Sequence, residues 1–448
     1  MLTRRASTAA VFAGAIALVL LATAKDAAAQ ATAQFPVQFD FQTPGARSMA
    51  MGGAFVGAAD DATAAFTNPA GLSSFGTKQF SIEGRFKSVD TPYLAGGRVS
   101  GQPTGIGVDT VPNPVFATDT DNHFGAGFIA IVLPVGAHTS VTAYRHELVN
   151  VDNEFFSSGV FQRASFFGGV DDRNRDTPLG GTRAIAIANY GASIGHSWKD
   201  DRIAIGGGLA FSHFNIESHF ARFAFATDIF GAVNTNVKSA TADQTGDDIG
   251  FSPNVGALWR PRENVSLGAT YRRGASFTFT QQDRVFAADI DVTRTGKFKV
   301  PDVYGVGFAW TATERLRVLV DYDRVQYSQL KTDFIDFQAI SSGRPDRLTI
   351  DDGNEVHGGV EFRTSMGGHT VALRGGAWFD PDHTVRYEPT AANDSIDVLL
   401  AATLPGGPNL MHYTFGGGIA LPKRMVLDAA ADFSSRTRYA TASLLIRF

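Results

Sequence analysis

Residues Gly191-Ala192-Ser193-Ile194-Gly195 match the G-x-S-x-G pattern that presents a nucleophilic serine. That chemistry needs a strand, a sharp turn and a helix to expose the hydroxyl. Here the pattern sits within one extended run that continues to His196 and Trp198, so glycine and serine read as a strand wall and not as a nucleophile. Asp119-Thr120-Asp121-Asn122 carries oxygen ligands suited to calcium but lacks the remaining EF-hand positions. The ten histidines include no pair at zinc-ligand spacing. No glycine loop stands at a strand-to-helix junction to cradle a phosphate. The chain has no cysteine, which removes thiol chemistry and disulfides. We therefore expect no enzyme activity, no metal and no cofactor. The remaining charged constellation is Asp60-Asp61, with Arg47 in the same segment. Acids enclosed in a protein are costly unless paired or hydrated, and Arg317 or Arg374 could face them. Anchoring is the preferred reading of the acidic pair over direct ligand contact.

The elements that would position these residues begin after a leader. Arg4 and Arg5 precede an uncharged apolar run over 9–22, too short to span a bilayer comfortably. Small residues then offer cleavage after Ala29 or after Ala33, giving a signal peptide over 1–29 with a limit at 33. Its loss takes the formal charge from −5 to −7, which argues against a nucleic-acid partner. No later stretch has the length of apolar sequence a membrane helix needs.

Instead, tight turn signals recur at 133–136, 199–201, 261–264, 311–314, 366–369 and 421–423. Each interval holds two strands and one longer polar connection, the rhythm of a transmembrane barrel with short turns at one end and long loops at the other. Strands are expected near 78–87, 122–133, 137–147, 183–198, 202–216, 249–260, 264–281, 296–311, 315–330, 354–366, 369–380, 410–421, 425–434 and 438–448. Alternation supports them: Leu316, Val318, Val320 and Tyr322 share one face, while Arg317 and Asp321 share the other. The expected fold is all-β, an antiparallel transmembrane barrel of about fourteen strands over 77–448. Two connections are rich in phenylalanine: Phe155, Phe156, Phe166 and Phe167 in one, Phe220 and Phe223 in the other, the latter at spacings compatible with a short helix. They line an apolar landing groove or pack the loops over the barrel mouth; the residues leave both open.

Three stretches carry a family resemblance. One holds Met51-Gly52-Gly53-Ala54, Asp60-Asp61 and Asn68-Pro69-Ala70. The second runs from Val300-Pro301-Asp302 to Val320-Asp321-Tyr322-Asp323-Arg324, and the third is Leu373-Arg374-Gly375-Gly376-Ala377-Trp378-Phe379-Asp380. Together they resemble the FadL/TodX family of outer-membrane channels for long-chain fatty acids and other hydrophobic molecules. The resemblance implies a plug over 34–76 inside the barrel, including Arg47, Gly52, Gly53, Asp60, Asp61, Asn68, Pro69 and Ala70. It implies a monomer in the bacterial outer membrane that contacts its lipids, and the terminal Phe448 resembles the signal read by the barrel-assembly machinery. The implied function is passive uptake of hydrophobic molecules, most simply long-chain fatty acids, by capture in an apolar groove, plug rearrangement and lateral exit through a wall gap. Arg374 or Arg317 is then a candidate partner for a ligand carboxylate. The rival reading is a FadL-like barrel acting as a scaffold or shuttle in protein secretion. A general porin fits poorly, because it needs an open polar lumen.

Overall fold

The computed structural model describes residues 41, 43–166, 169–335, 345–390 and 395–448. The expected signal peptide and the first residues of the expected plug lie outside this set, as does Phe167. Fourteen strands close into one antiparallel barrel. They are β1 (Gln79–Gly97), β2 (Pro114–Gly136), β3 (Thr139–Ser157), β4 (Leu179–Trp198), β5 (Ile203–Phe225) and β6 (Val233–Arg262). Next come β7, in two segments (Val265–Arg272 and Ser276–Val285), and β8, also in two (Ile290–Lys299 and Val303–Thr311). The last six are β9 (Leu316–Val325), β10 (Gly353–Met366), β11 (His369–Asp380), β12 (Leu410–Leu421), β13 (Met425–Phe433) and β14 (Thr437–Arg447). Each strand pairs with its neighbours, and β1 closes on β14 from Gln79↔Arg447 to Val89↔Thr437. Closure leaves backbone groups satisfied within the wall, which a sheet in lipid requires.

Alternation builds the wall as the sequence suggests. On β9, Val320 and Tyr322 are exposed while Leu319 and Asp321 are buried. On β5, Ile203, Ile205, Leu209 and Phe211 point outward. The turn between β10 and β11 places Gly367 and Gly368 at φ 56° and 79°, the positive values a two-residue hairpin needs.

Three features depart from expectation. Several strands run further at the loop end: β1 continues to Gly97, β3 to Ser157 and β5 to Phe225, while β6 begins at Val233. Beyond the apolar band both faces of a strand meet water, so stretches such as 118–122 lose the apolar alternation that marks a strand. Phe155 and Phe156 therefore lie on β3, and Phe220 and Phe223 on β5, not in loops or a short helix. Finally, β7 and β8 are interrupted side by side, at 273–275 and 300–302. A Cβ on Gly274 would fall 1.9 Å from the Val300 carbonyl oxygen, and Pro301 has no N–H to give. Lys299 Nζ and the Gly274 amide both donate to Asp302, which staples the paired breaks.

Candidate functional site: the barrel lumen

The described residues before β1, from 43 onward, fold inside the barrel. Short helical turns at Ala46–Met49, Ala64–Thr67 and Pro69–Ser74 are almost wholly buried. Their small residues allow backbone to meet backbone. Gly195, Gly206, Gly256, Gly268, Gly307, Gly359 and Gly376, on seven strands, each lie so close to this segment that an added Cβ would fall 2.0–2.4 Å from one of its atoms. Several are register partners: Gly195↔Gly206, Gly206↔Gly256, Gly268↔Gly307 and Gly359↔Gly376. The wall thus carries a belt of glycines matched to the segment, as close backbone approach demands. Specific bonds complete the seat. Gly52 and Gly53 take positive φ, and the Gly52 carbonyl accepts from His357 Nδ1 at 2.7 Å. Asp321 Oδ2 accepts from the amides of Phe55 and Val56. Asn68 donates to the carbonyls of Val56 and Ala257 and caps the Ala70 amide, with Pro69 opening the following turn.

Toward the turn end the lumen is charged. Arg47 pairs with Asp60 at 2.5 Å and with Glu361 at 3.0 Å. Arg317 reaches Asp60 at 2.6 Å, and Arg374 joins Glu361 at 2.7 Å to Asp428 at 2.6 Å. Burial alone would raise the Asp60 carboxyl, but Arg47 and Arg317 hold it far below the ordinary range. Asp61, further from Arg47, is raised by burial. Arg374 and Arg317 are thus both engaged by carboxylates of the chain itself.

Toward the loop end the lumen holds a large apolar cluster. Phe214 stacks on Phe277 at 4.8 Å and on Phe298 at 5.2 Å, and Phe334 closes edge-on over Phe298. This cluster includes Ile185, Ile187, Ile216 and Phe279 from the wall and Leu330, Leu348 and Leu400 from the connections above. It extends to Leu148 and Val149 of β3, with Val151 packed against it. There the wall changes. β2 and β3 pair only from Phe128↔His146 to the turn. Above that point β2 pairs with β1 and β3 with β4, while no ladder joins 122–127 to 147–151. Each flanking strand carries one extra residue, Gly127 opposite β1 and Leu148 opposite β4. A bulge bends its strand and ends pairing locally. The bonds that cross the window each involve a side chain, including His123 to Glu147 at 3.1 Å, Asn153 to Asp119 at 2.9 Å and the Asp152 amide to Asp121 at 3.2 Å. Beside it Phe124 is 74% exposed on the outer face, so the window opens at the level of the apolar band.

The phenylalanines picked from sequence divide. Phe155 is buried against Phe220 and Tyr93 in a separate cluster. Phe156, 41% exposed, packs on Phe223. Phe166 ends a short strand, Phe161–Phe166, in a hairpin above the barrel. None of these four described residues with known packing belongs to the large apolar cluster. The residues that build it, Phe277 and Phe279 among them, alternate by two within a predicted strand, a signal that marked the face but not which side was lumen. Among the described residues no group of His, Asp or Glu is arranged to hold a metal.

A closed fourteen-stranded barrel, an inward-folded N-terminal segment and an apolar interior define an outer-membrane channel for hydrophobic compounds. The chain belongs to the outer membrane protein transport family OMPP1/FadL/TodX, whose model matches residues 18–385. Solved structures agree in fold. A FadL homologue of Pseudomonas aeruginosa superposes with a TM-score of 0.60 at 11% identity, covering 92% of this chain and 98% of that one. The toluene transporter TbuX of Ralstonia pickettii gives 0.57 at 16%, covering 91% and 99%. The toluene transporter TodX of P. putida gives 0.57 at 14%, with the same coverage. No curated protein sequence matches the chain. It is therefore a transport protein of the bacterial outer membrane and not an enzyme.

Proposed function

We propose that this chain takes up long-chain fatty acids by passive diffusion, with residues 34–76 acting as the plug and the β2–β3 window as the exit. The carrying observation is that the apolar cluster runs to Leu148 and Val149 at the window's edge. The axial route instead meets the Arg47–Asp60–Glu361–Arg374 network. Each buried methylene is worth roughly 0.8 kcal/mol, so a long chain gains from the apolar path and loses that gain in the charged end. The window begins eight residues above the end of β2. That is roughly 27 Å along the strand, or about 21 Å of height at a tilt near 40°, inside an apolar band about 25 Å tall. A ligand leaving there enters lipid. A secretion scaffold has no use for such a path, so the transport reading is preferred. The outer aliphatic band contacts membrane lipid in this reading. The test is uptake of labelled oleate and of toluene by cells lacking their own transporter, with and without this protein. Faster oleate entry is expected; equal entry of both compounds with and without it would overturn the proposal.

A further inference from the structure

The rim at the turn end of the barrel is uneven in charge. On one arc, the turns at 199–202, 260–264 and 313–315 mix basic residues with Asp200, Asp201, Glu263 and Glu314. On the other, the segments 76–79, 133–138, 366–369, 421–424 and 446–448 contain no Asp or Glu. This second arc carries Lys78, Lys423 and Arg424, all exposed, and among the described residues none of the three makes an ion pair. They are neighbours across the closing seam of the barrel. The Arg447 amide donates to the Arg424 carbonyl at 3.1 Å, and the Phe448 amide donates to the Lys78 carbonyl at 2.9 Å. Arg447 itself shares the inward face of Leu445 and lines a cavity with Asp428, so it stands apart from the outer set.

Lys423 and Arg424 hold their place at a conformational cost. Their φ values are 61° and 58°, in the left-handed region where long side chains are uncommon. Two successive residues of this kind form the turn that Asn-Gly favours, and Gly367-Gly368 meets the same demand between β10 and β11. Backbone strain kept at a pair of cations points to a use for their charge. Beside them the outer face is apolar. Leu427 is exposed, its register partner is Leu444, and Phe448 is 66% exposed at the rim. Aromatic rings in such positions settle at the headgroup level of a bilayer, as the exposed Trp198, Trp259 and Trp310 do near the other turns.

We propose that this arc of the rim binds the headgroup of an anionic phospholipid, with Lys78, Lys423 and Arg424 around the phosphate and the acyl chains along Leu427 and Leu444. The short turns of such a barrel face the periplasmic leaflet. Basic side chains beside a bilayer attract its anionic lipids, and Lys and Arg reach headgroup level while their stems stay on apolar surface. A soluble acidic partner would satisfy the charge but not the adjoining aliphatic face, so lipid is the occupant the surface fits.

The test uses the full mature protein in detergent, titrated with dioleoyl phosphatidylglycerol and with dioleoyl phosphatidylcholine, and native mass spectrometry counts the bound lipid. The two lipids share chains and phosphate and differ in net charge. The wild type should bind phosphatidylglycerol at least about fivefold more tightly in low salt, and less selectively at about 0.5 M salt, where exposed charges are screened. Lys423→Asn with Arg424→Gly installs the favoured turn and should assemble. It should cut the preference at least about threefold, and adding Lys78→Gln should abolish it. Lys199→Gln with Arg202→Gln removes the same charge from the mixed arc and should leave the preference within about twofold. Lys78→Gln alone lies outside the turn and should lower the preference, so it decides the matter if the Asn-Gly protein fails to assemble. An unchanged preference in either seam variant, or an equal loss in the mixed-arc variant, overturns the proposal. No wild-type preference also overturns it and makes a soluble acidic partner the better occupant of the arc.

Discussion

Arg47 ties the N-terminal segment to the wall through Glu361 and also pairs with Asp60 of its own segment, and each carboxylate keeps another partner. Asp60 also meets Arg317, and Glu361 also meets Arg374 and Arg363. Removing Arg47 therefore leaves Asp60 and Glu361 paired, and Asp61, 3.8 Å from Arg47, keeps its hydrogen bonds from Thr63. Breaking a fully buried pair costs about 3–5 kcal/mol. Here the remaining arginines and the partial exposure of Asp60 reduce that to the order of 2 kcal/mol, enough to loosen the segment but not the barrel. Arg47→Ala should raise ion conductance in planar bilayers and keep heat-modifiable gel migration. Arg47→Lys, which retains the charge without the fork, should fall between. Wild-type conductance in the alanine variant would mean that this tie does not hold the lumen shut.

The strands show what a sequence can and cannot announce. Turn chemistry is local, so Gly367-Gly368 and the Lys199-Asp200-Asp201 corner stand out without any tertiary knowledge, and the barrel's fourteen strands follow from counting them. The bulges at Gly127 and Leu148 are each one extra residue, which the two-residue period conceals. The glycine belt is similarly silent: Gly206 or Gly359 in a strand signals close approach, but only the folded barrel shows that the partner is Pro69 or Met51. The connection between β11 and β12 carries a further consequence. His383 stacks flat on Tyr327 at 3.9 Å and meets Asp380 at 3.2 Å. Burial pushes its pKa down, but Asp380 outweighs burial and lifts it to about 9. A raised histidine stabilises fully below its unfolded value near 6.5 and loses that contribution as pH climbs through about 9. Hydrogen exchange over 381–390, corrected for intrinsic rate, should thus show more opening at pH 9.5 than at pH 6. His383→Gln should abolish the difference. Equal protection at both values in the wild type would show that the charged ring does not hold this connection.

At the scale of the whole molecule, the lumen is divided along its axis, with an ion-pair network at the turn end and the large apolar cluster toward the loop end. The β2–β3 window is where the apolar part meets the wall. The window depends on register. From Thr139 to Glu147, β3 pairs with β4 in one register, and from Val149 onward in another, with Leu148 as the extra residue. Deleting Leu148 makes the register continuous and keeps every later side chain on its present face. The straightened strand can then extend its ladder toward 122–127 of β2, gaining backbone bonds that the bulge now forbids. The deletion should leave circular dichroism near wild type and keep most of the oleate affinity in detergent, since Leu148 is one side chain at the edge of the cluster and the stacked Phe214, Phe277 and Phe298 are untouched. Oleate uptake by cells should fall at least about tenfold, because the bound ligand has lost its way into lipid. Uptake at the wild-type rate in a correctly assembled deletion would mean that the ligand leaves elsewhere. The paired interruptions at 273–275 and 300–302, with their Lys299–Asp302 staple, would then be the next part of the wall to open by mutation.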